Sequence, residues 1–354
     1  MLLVIFGAGA SYDSAARLRP TGVRTHDDRW RPPLTDELFA DRVEFREFLT
    51  DFPQVLPLAT RLGQASPDLP LEGMLARLQE EAAEYPARHS ELAAIRYYLQ
   101  RLIWECERYW HPDRKAVTNY LALLDRIQRW RRGVPDGVMF ATFNYDRLFE
   151  YAASYYITDA RQIYQNAYDT IEAYIRHPQF PLLKLHGSLD WGFKVNTPLD
   201  IVAESGGHVW QIAGEVIRRF PTLDVSAVVA KIVERPPQPQ EGHAYVPALA
   251  IPTNQKGAFT CPDPHLEFLR DRLSRVRAVL AIGWRGMEAH FLELLRDRLP
   301  KSVNVLAVCG KTDAGQETIE RFRSAGVDAV GNAFFGGFTD FVVSDEIDSF
   351  LSQC

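Results

Sequence analysis

The sequence has only 4 cysteines, Cys106, Cys261, Cys309 and Cys354, and no two stand as Cys-x-x-Cys. That spacing excludes a cysteine zinc ribbon, and no metal is expected. So few cysteines, with no signal-peptide pattern, point to a reducing cytoplasmic setting. The opening residues 1–6 are apolar but too short for a signal core, and glycines follow at once. No apolar run approaches the roughly 18 residues a membrane span requires, so no membrane contact is expected. Positive charge is also lacking. The formal net charge of −6 argues against direct nucleic-acid binding, which needs a basic surface. The cluster Arg126, Arg129, Arg131 and Arg132 reads as the solvated end of a helix.

What is present describes an ordinary globular, enzyme-like chain. Its 354 residues are 46% hydrophobic and 24% charged, enough for one large domain with an insertion or for two domains. Leu2 to Phe6 reads as a buried strand. It runs into Gly7-Ala8-Gly9-Ala10-Ser11 and then a helix through Leu18. Strand, glycine turn and helix together aim backbone N–H groups at a phosphate, and small residues let it approach closely. The Gly-x-Gly-x-x-Gly fingerprint is incomplete, because Tyr12 occupies the third glycine position. The acids Asp27 and Asp28 lie in an Arg-rich loop rather than after a second strand, so a hydride-transferring dehydrogenase fits poorly.

From Pro20 to Pro33 the chain is polar and irregular, and Thr35-Asp36-Glu37 marks a helix start. Residues 35–131 read as almost entirely helical. Leu71 to Glu84, Ser90 to Arg108 and Arg114 to Arg131 carry apolar residues at three-to-four spacing, with Leu92, Ile95, Leu99 and Ile103 as one stripe.

Strand signals return at Val138 to Thr142, followed by Phe143-Asn144-Tyr145-Asp146 and a short helix over 147–153. Alone, Asn144 reads as a helix cap and Asp146 as a first-turn acid. Leu182 to Leu185 is another strand, and it places His186 at its end beside the turn Gly187-Ser188. Residues 223–233 read as helical. Then come a strand over 247–251, the turn Pro252-Thr253-Asn254-Gln255-Lys256-Gly257 and a helix over 264–273. The strand 278–282 ends in Gly283-Trp284-Arg285-Gly286, before a helix to Arg298. A strand over 303–308 and a helix over 314–325 follow. Alternating strands and helices imply an α/β fold with a doubly wound, mostly parallel sheet and a helical insertion after the first strand. The expected division is a sheet domain of residues 1–34 and 132–354, with 35–131 as the insertion. The strands after residue 136 are expected to share the first strand's sheet. Ligands sit at the carboxyl ends of such strands, which makes 7–11, 142–146, 186–191 and 283–288 the loops of one crevice.

Gly7 to Ser11, Thr142-Phe143-Asn144-Tyr145-Asp146 and His186-Gly187 resemble the three signature motifs of the sirtuin NAD-binding fold, itself Rossmann-like. Lys184-Leu185-His186-Gly187-Ser188-Leu189-Asp190-Trp191 is similar, more narrowly, to bacterial sirtuin-like NAD hydrolases of antiphage defence. Pro252-Thr253-Asn254-Gln255-Lys256 resembles their downstream Pro-Thr…Lys segment. The four-cysteine zinc module of deacetylase sirtuins is absent. The family's late Gly-Tyr-Ser loop with a following acid is here Gly283-Trp284-Arg285 with Glu288.

The resemblance implies NAD as substrate and cleavage of its nicotinamide–ribose bond. Nicotinamide leaves a cation as a neutral molecule, so no general acid is needed. The transition state is an oxocarbenium ion, as in glycoside hydrolysis. The implied NAD-binding residues are Gly7, Ala8, Gly9, Ala10, Ser11, Thr142, Phe143, Gly187, Ser188, Gly283 and Trp284, with the N–H groups of 8–11 at the phosphates. Asn144 orients the ribose hydroxyls or the water, His186 accepts the proton, and Asp146 steadies the loop or balances developing positive charge. The implied biology is abortive infection by NAD depletion. It requires latency, so a homo-oligomer, an activating partner protein or a nucleotide signal is expected. Two other readings stand beside it: an NAD-dependent protein deacylase and a silent module that binds NAD or ADP-ribose.

Overall fold

A computed structural model describes residues 1–14, 28–64, 70–110, 118–132, 137–156, 168–197, 209–232, 243–253 and 259–354. Its strands, in chain order, are β1 (Leu2–Phe6), β2 (Val138–Thr142), β3 (Leu182–Lys184), β4 (Gly187–Val195), β5 (Val225–Lys231), β6 (Tyr245–Leu249), β7 (Ala278–Ile282), β8 (Val303–Val308) and β9 (Ala329–Phe334). The chain divides into two compact units. The first comprises Met1–His26, His111–Leu185 and Cys261–Cys354, and the second Asp27–Trp110 and His186–Thr260. Among the described residues no helix is long and apolar enough to cross a membrane.

The first unit is an α/β fold built on a six-stranded parallel sheet, ordered β3-β2-β1-β7-β8-β9. Counting those six strands alone, the order is 3-2-1-4-5-6, the arrangement of dinucleotide-binding doubly wound sheets. β1, β2 and β7 are buried at every position, as strands covered on both faces must be. That is why their sequences are continuous apolar runs rather than alternating ones.

The helix predicted over 114–131 begins at Asn119, where the Thr118 side chain accepts the Leu121 N–H at 3.2 Å; residues 114–117 lie outside the described set. This helix belongs to the sheet unit, not to the helices before it. Tyr120 explains the grouping: its ring meets Phe6, Phe149 and Phe338 edge-on, at centroid distances of 5.1, 6.3 and 5.4 Å. The first helix runs over Ala8–Tyr12, and the predicted extension from 15 to 18 lies outside the described residues. Helices at Asp263–Leu273, Ala289–Arg298 and Thr312–Ser324 match the predicted ones to within two residues. β9 and the helices Gly337–Val343 and Glu346–Ser352 close the chain without a counterpart in the sequence reading.

The second unit combines the helices Val43–Thr50, Leu56–Leu62, Leu71–Ala82 and Ala87–Trp110 with a three-stranded antiparallel sheet, ordered β5-β4-β6. The stripe Leu92, Ile95, Leu99 and Ile103 is buried as its spacing predicts. On the same helix the Tyr97 hydroxyl donates to the Tyr245 carbonyl at 2.7 Å, and Gln100 Nε2 to the Leu189 carbonyl at 2.8 Å. The predicted start at Thr35–Glu37 is a single 3-10 turn, whose Glu37 side chain accepts the Leu34 N–H at 3.2 Å. Of the predicted loop 20–33, residues 20–27 lie outside the described set, as do 254–257 of the Pro252 turn.

Three expectations are overturned here. Of the residues read as helical over 223–233, the described ones, 223–232, are not helical, and 233 lies outside the described set. Val225, Val228 and Val229 are β-branched, and they lie in β5, which pairs antiparallel with β4. The strand predicted over 247–251 is β6. It joins β4 in this small sheet, so the strands after 136 do not all share the sheet of β1. From Gly187 onward, the segment 186–191 is not a loop but the start of the nine-residue β4.

His177 lies in the segment that leads into β3. Its Nδ1 accepts the N–H groups of Gln179 (3.2 Å) and Phe180 (3.0 Å), and its ring packs against Tyr168 and Phe180. Nδ1 accepts only while unprotonated, and burial holds the imidazole pKa down at about 4, below its ordinary 6.5. The folded chain therefore binds this proton less readily than the unfolded one. The stabilisation is intact above pH ~6.5 and is lost as pH falls through ~4. An NMR titration should return a His177 pKa near 4; a value near 6.5 contradicts this account.

Candidate functional site at the carboxyl edge of the sheet

At the carboxyl edge of the parallel sheet, the hydrogen-bond ladder runs one residue past each strand. Leu185 N–H donates to the Thr142 carbonyl (2.9 Å) and Phe143 to Phe6 (3.0 Å). Gly7 donates to Ile282 (3.0 Å), Gly283 to Val308 (2.9 Å) and Cys309 to Phe334 (3.0 Å). Gly7 with the helix that starts at Ala8, and the segments 142–146 and 283–288, therefore leave the sheet at one level. β1 and β7 are adjacent where the strand order reverses, which is the switch point where such sheets take ligands.

The glycines predicted to meet a phosphate meet each other. A Cβ on Gly7 would lie 2.6 Å from the Gly283 carbonyl oxygen, and one on Gly9 would lie 2.8 Å from Gly283 Cα. Gly283 has φ +60°, and a Cβ there would stand 2.2 Å from the Ala10 nitrogen. Gly9 N–H donates to the Gly283 carbonyl (3.1 Å) and Ala10 N–H to Gly7 (2.9 Å). Two of the four N–H groups assigned to a phosphate are thus engaged within the protein.

Beneath this junction lies a buried polar network. Ser11 Oγ donates to Asp146 Oδ2 at 2.7 Å, lies 2.9 Å from the Tyr120 hydroxyl and accepts from Asn144 Nδ2 at 3.0 Å. A hydroxyl has one proton and two lone pairs, so Tyr120 must be the donor to Ser11. Burial, together with the Asp146 charge, holds the Tyr120 phenol well above its ordinary 10, which keeps it protonated for that task. Asn144 Nδ2 also donates to the Gly7 carbonyl at 2.9 Å. A carbonyl only accepts, so the orientation of this amide is fixed. Among the described residues, no donor reaches Asn144 Oδ1.

The loop carrying Asn144 is held at further points. Thr142 Oγ1 accepts the Asn144 N–H at 3.0 Å, and Asp146 Oδ1 the Leu148 N–H at 3.2 Å. From β3, Lys184 Nζ donates to the carbonyls of Asp146 and Tyr145 and lies 2.9 Å from Glu150 Oε1. Both ends of that ion pair are buried, at 0% and 1% exposure. After the glycine loop, Asp13 Oδ2 accepts the Thr339 N–H at 2.9 Å, and Asn119 Nδ2 donates to the Asp13 carbonyl.

Phe143 and Trp284 stack face to face, with centroids 5.5 Å apart and planes 5° apart. Trp284 also meets Phe291 and Phe322 edge-on, and its indole N–H donates to Glu288 Oε2 at 2.6 Å. The rings of these two predicted ligand residues are buried against the protein itself. The acid at 288 serves the indole of the same loop.

Asn144 and Asp146 belong to the first unit, whereas His186, Gly187 and Ser188 belong to the second. His186 is half-buried, and its carbonyl accepts the Ala250 N–H at 2.9 Å. Gly187 has φ +85°, and a Cβ there would lie 1.8 Å from the Ala248 oxygen, so contact with β6 demands this glycine. Ser188 is buried, and its Oγ has no hydrogen-bond partner among the described residues.

Sequence reasoning missed Tyr120, Lys184 and Glu150. Tyr120 leaves no signal, being one apolar position of a helical stripe. Lys184 does leave one: a lysine in a strand that is otherwise apolar must find a buried partner. Among the described residues, no group of three or more His, Cys, Asp or Glu could hold a metal.

Gly283→Ala should destabilise the chain by at least about 2 kcal/mol, from the left-handed backbone and the overlap with Ala10. Gly310→Ala, where a Cβ meets nothing within 4 Å, should change little. Equal melting temperatures for the two variants would contradict the glycine junction.

No family model matches the chain, and no curated protein matches it. Among solved structures it is similar to one described as a crystal structure of a Sir2 homolog–NAD complex. The identity is 14%, over 99% of this chain and 89% of that one, with a TM-score of 0.39.

Proposed function

We propose that this chain is an NAD glycohydrolase that releases nicotinamide and ADP-ribose from NAD. The observation that carries the reading is the Asn144 carboxamide at the carboxyl edge of a sheet in dinucleotide-fold order. Its NH2 group is tied to Gly7 and Ser11, and its oxygen is left to accept from a hydroxyl. The motif resemblance set out above supplies the substrate. Asn144 Oδ1 holds a ribose hydroxyl or the attacking water against C1′ of the nicotinamide riboside. Asp146, through Ser11 Oγ at 2.7 Å, keeps the loop in place.

His186 takes the proton of the attacking water, since imidazole is the side chain that titrates near neutrality. It follows Leu185, whose N–H is bonded to the Thr142 carbonyl at 2.9 Å. The bond from C1′ to the pyridinium nitrogen breaks, that electron pair leaves with neutral nicotinamide, and a water oxygen bonds to C1′. NAD lies along the switch point, with its phosphates at residues 7–11 and Thr142, Phe143, Gly283 and Trp284 shaping the site. We further propose that this activity is latent in a cytoplasmic antiphage effector. Self-assembly, a partner protein or a nucleotide signal would release it.

Chromatography of NAD incubated with pure protein, with and without the products of neighbouring genes, tests this reading. Nicotinamide and ADP-ribose should appear in equal amounts. His186→Ala should lower the rate by at least about 100-fold. Asn144→Ala should do the same, and should also cost about 1–3 kcal/mol of stability because the Gly7 carbonyl and Ser11 Oγ each lose the amide that donates to them. Turnover retained in either variant removes the role given to that residue. Cleavage only in the presence of an acylated peptide would indicate a deacylase. NAD that stays bound and intact with every trigger would indicate a silent binding module.

A further inference from the structure

We propose that Lys184 is the positioning residue for the loop that presents Asn144. Its ammonium pins the backbone just beyond the carboxamide, and Glu150 serves as its counter-charge. The proposal rests on the reading of Asn144 given above.

A lysine in the middle of a buried strand is costly, because taking its charge and that of Glu150 out of water is repaid only by very good partners. An apolar residue would fill the same position in β3 more cheaply, so the charge points to a task. The acceptors at Nζ show what that task is. One is Glu150 Oε1, at 2.9 Å. The others are the main-chain carbonyls of Tyr145, at 3.4 Å, and Asp146, the two residues that follow Asn144. Both residues are buried, at 8% and 7% exposure, and lie beyond the end of β2, where the strand ladder no longer supplies donors. Buried carbonyls need a donor, and here a side chain provides it.

The base of the lysine is equally well fixed. Lys184 stands opposite Thr142 in the parallel register of β2 and β3. Thr142 Oγ1 accepts the Asn144 N–H on one side of the carboxamide, and Lys184 holds the carbonyls on the other. The sheet thus reaches the loop through a hydroxyl before Asn144 and an ammonium after it. Loss of the second hold leaves the fold intact and lets Asn144 drift relative to the ribose.

The test removes the hold without leaving a buried lone charge. Lys184→Met/Glu150→Gln replaces the ion pair with neutral groups of similar length, an exchange that buried pairs generally tolerate. Its kcat for nicotinamide release should fall at least about tenfold, with KM for NAD within about threefold. Glu150→Gln alone leaves the lysine its N–H donors for both carbonyls, so kcat should stay within about threefold of wild type. Amide deuterium exchange over 143–149, measured without NAD, should quicken in the double variant and not in Glu150→Gln, while β1 and β7 stay protected.

Wild-type kcat in the double variant, or equal losses in both variants, overturns the proposal. Unchanged exchange over 143–149 in the double variant does so as well. Should the methionine variant not fold, Lys184→Gln/Glu150→Gln carries the same expectations. If the wild-type chain releases no nicotinamide under any trigger, the NAD reading fails. The exchange experiment still decides whether Lys184 holds the loop.

Discussion

Two stretches of backbone touch at the carboxyl edge of the sheet, and the site is arranged around that touch. Gly7 and Gly9 press against Gly283 at distances no side chain would allow. Gly283 adds a left-handed φ of +60°, which glycine adopts at little cost. The contact carries the pairing of β1 with β7 past the end of the strands, through the Gly9 N–H to the Gly283 carbonyl. The first helical turn, Ser11 and the loop after β7 are thereby placed with one another before any ligand arrives.

The second loop is attached to that junction by polar groups that exhaust one another's capacity. Ser11 uses its single proton on Asp146 and its lone pairs on Tyr120 and Asn144. Asn144 uses its amide protons on Ser11 and Gly7. A network satisfied this fully is rigid, because any rotation leaves a buried donor or acceptor without a partner. Rigidity here has a chemical use: the one part of the Asn144 amide left over is its oxygen, and its direction follows from where the nitrogen is held.

The elements written as long periodic or apolar runs were legible in the sequence. β1, β2, β7 and β8, and the stripe Leu92, Ile95, Leu99 and Ile103, follow from pattern alone. So does the placement of Gly7–Ser11 and Asn144–Asp146 at strand ends. Residues 225–231 were misread because apolar residues at close spacing suit a helix or a strand equally, and pairing with β4 decides between them. The segment after His186 looked like a turn because glycine and serine are turn formers. Gly187 is instead required by the close passage of β6. The glycines of 7–11, read as room for a phosphate to approach the backbone, pack against the chain's own loop after β7. Tyr120 could not be found, since nothing in a helical repeat tells which position will carry a hydrogen bond to a residue 109 positions away.

The position of β1 in the sheet has a consequence for synthesis. It precedes both of its partners in the chain, and it lies between β2 and β7. Its partner positions begin at Val138 on one side and Ala278 on the other, so Leu2 waits for a residue far downstream. Until then Leu2–Phe6 is an uncharged segment with unpaired N–H and C=O groups along its edges, the kind of template that recruits strands from other nascent chains. Early burial by the helices that follow in the chain would keep those edges covered until β2 and β7 are made.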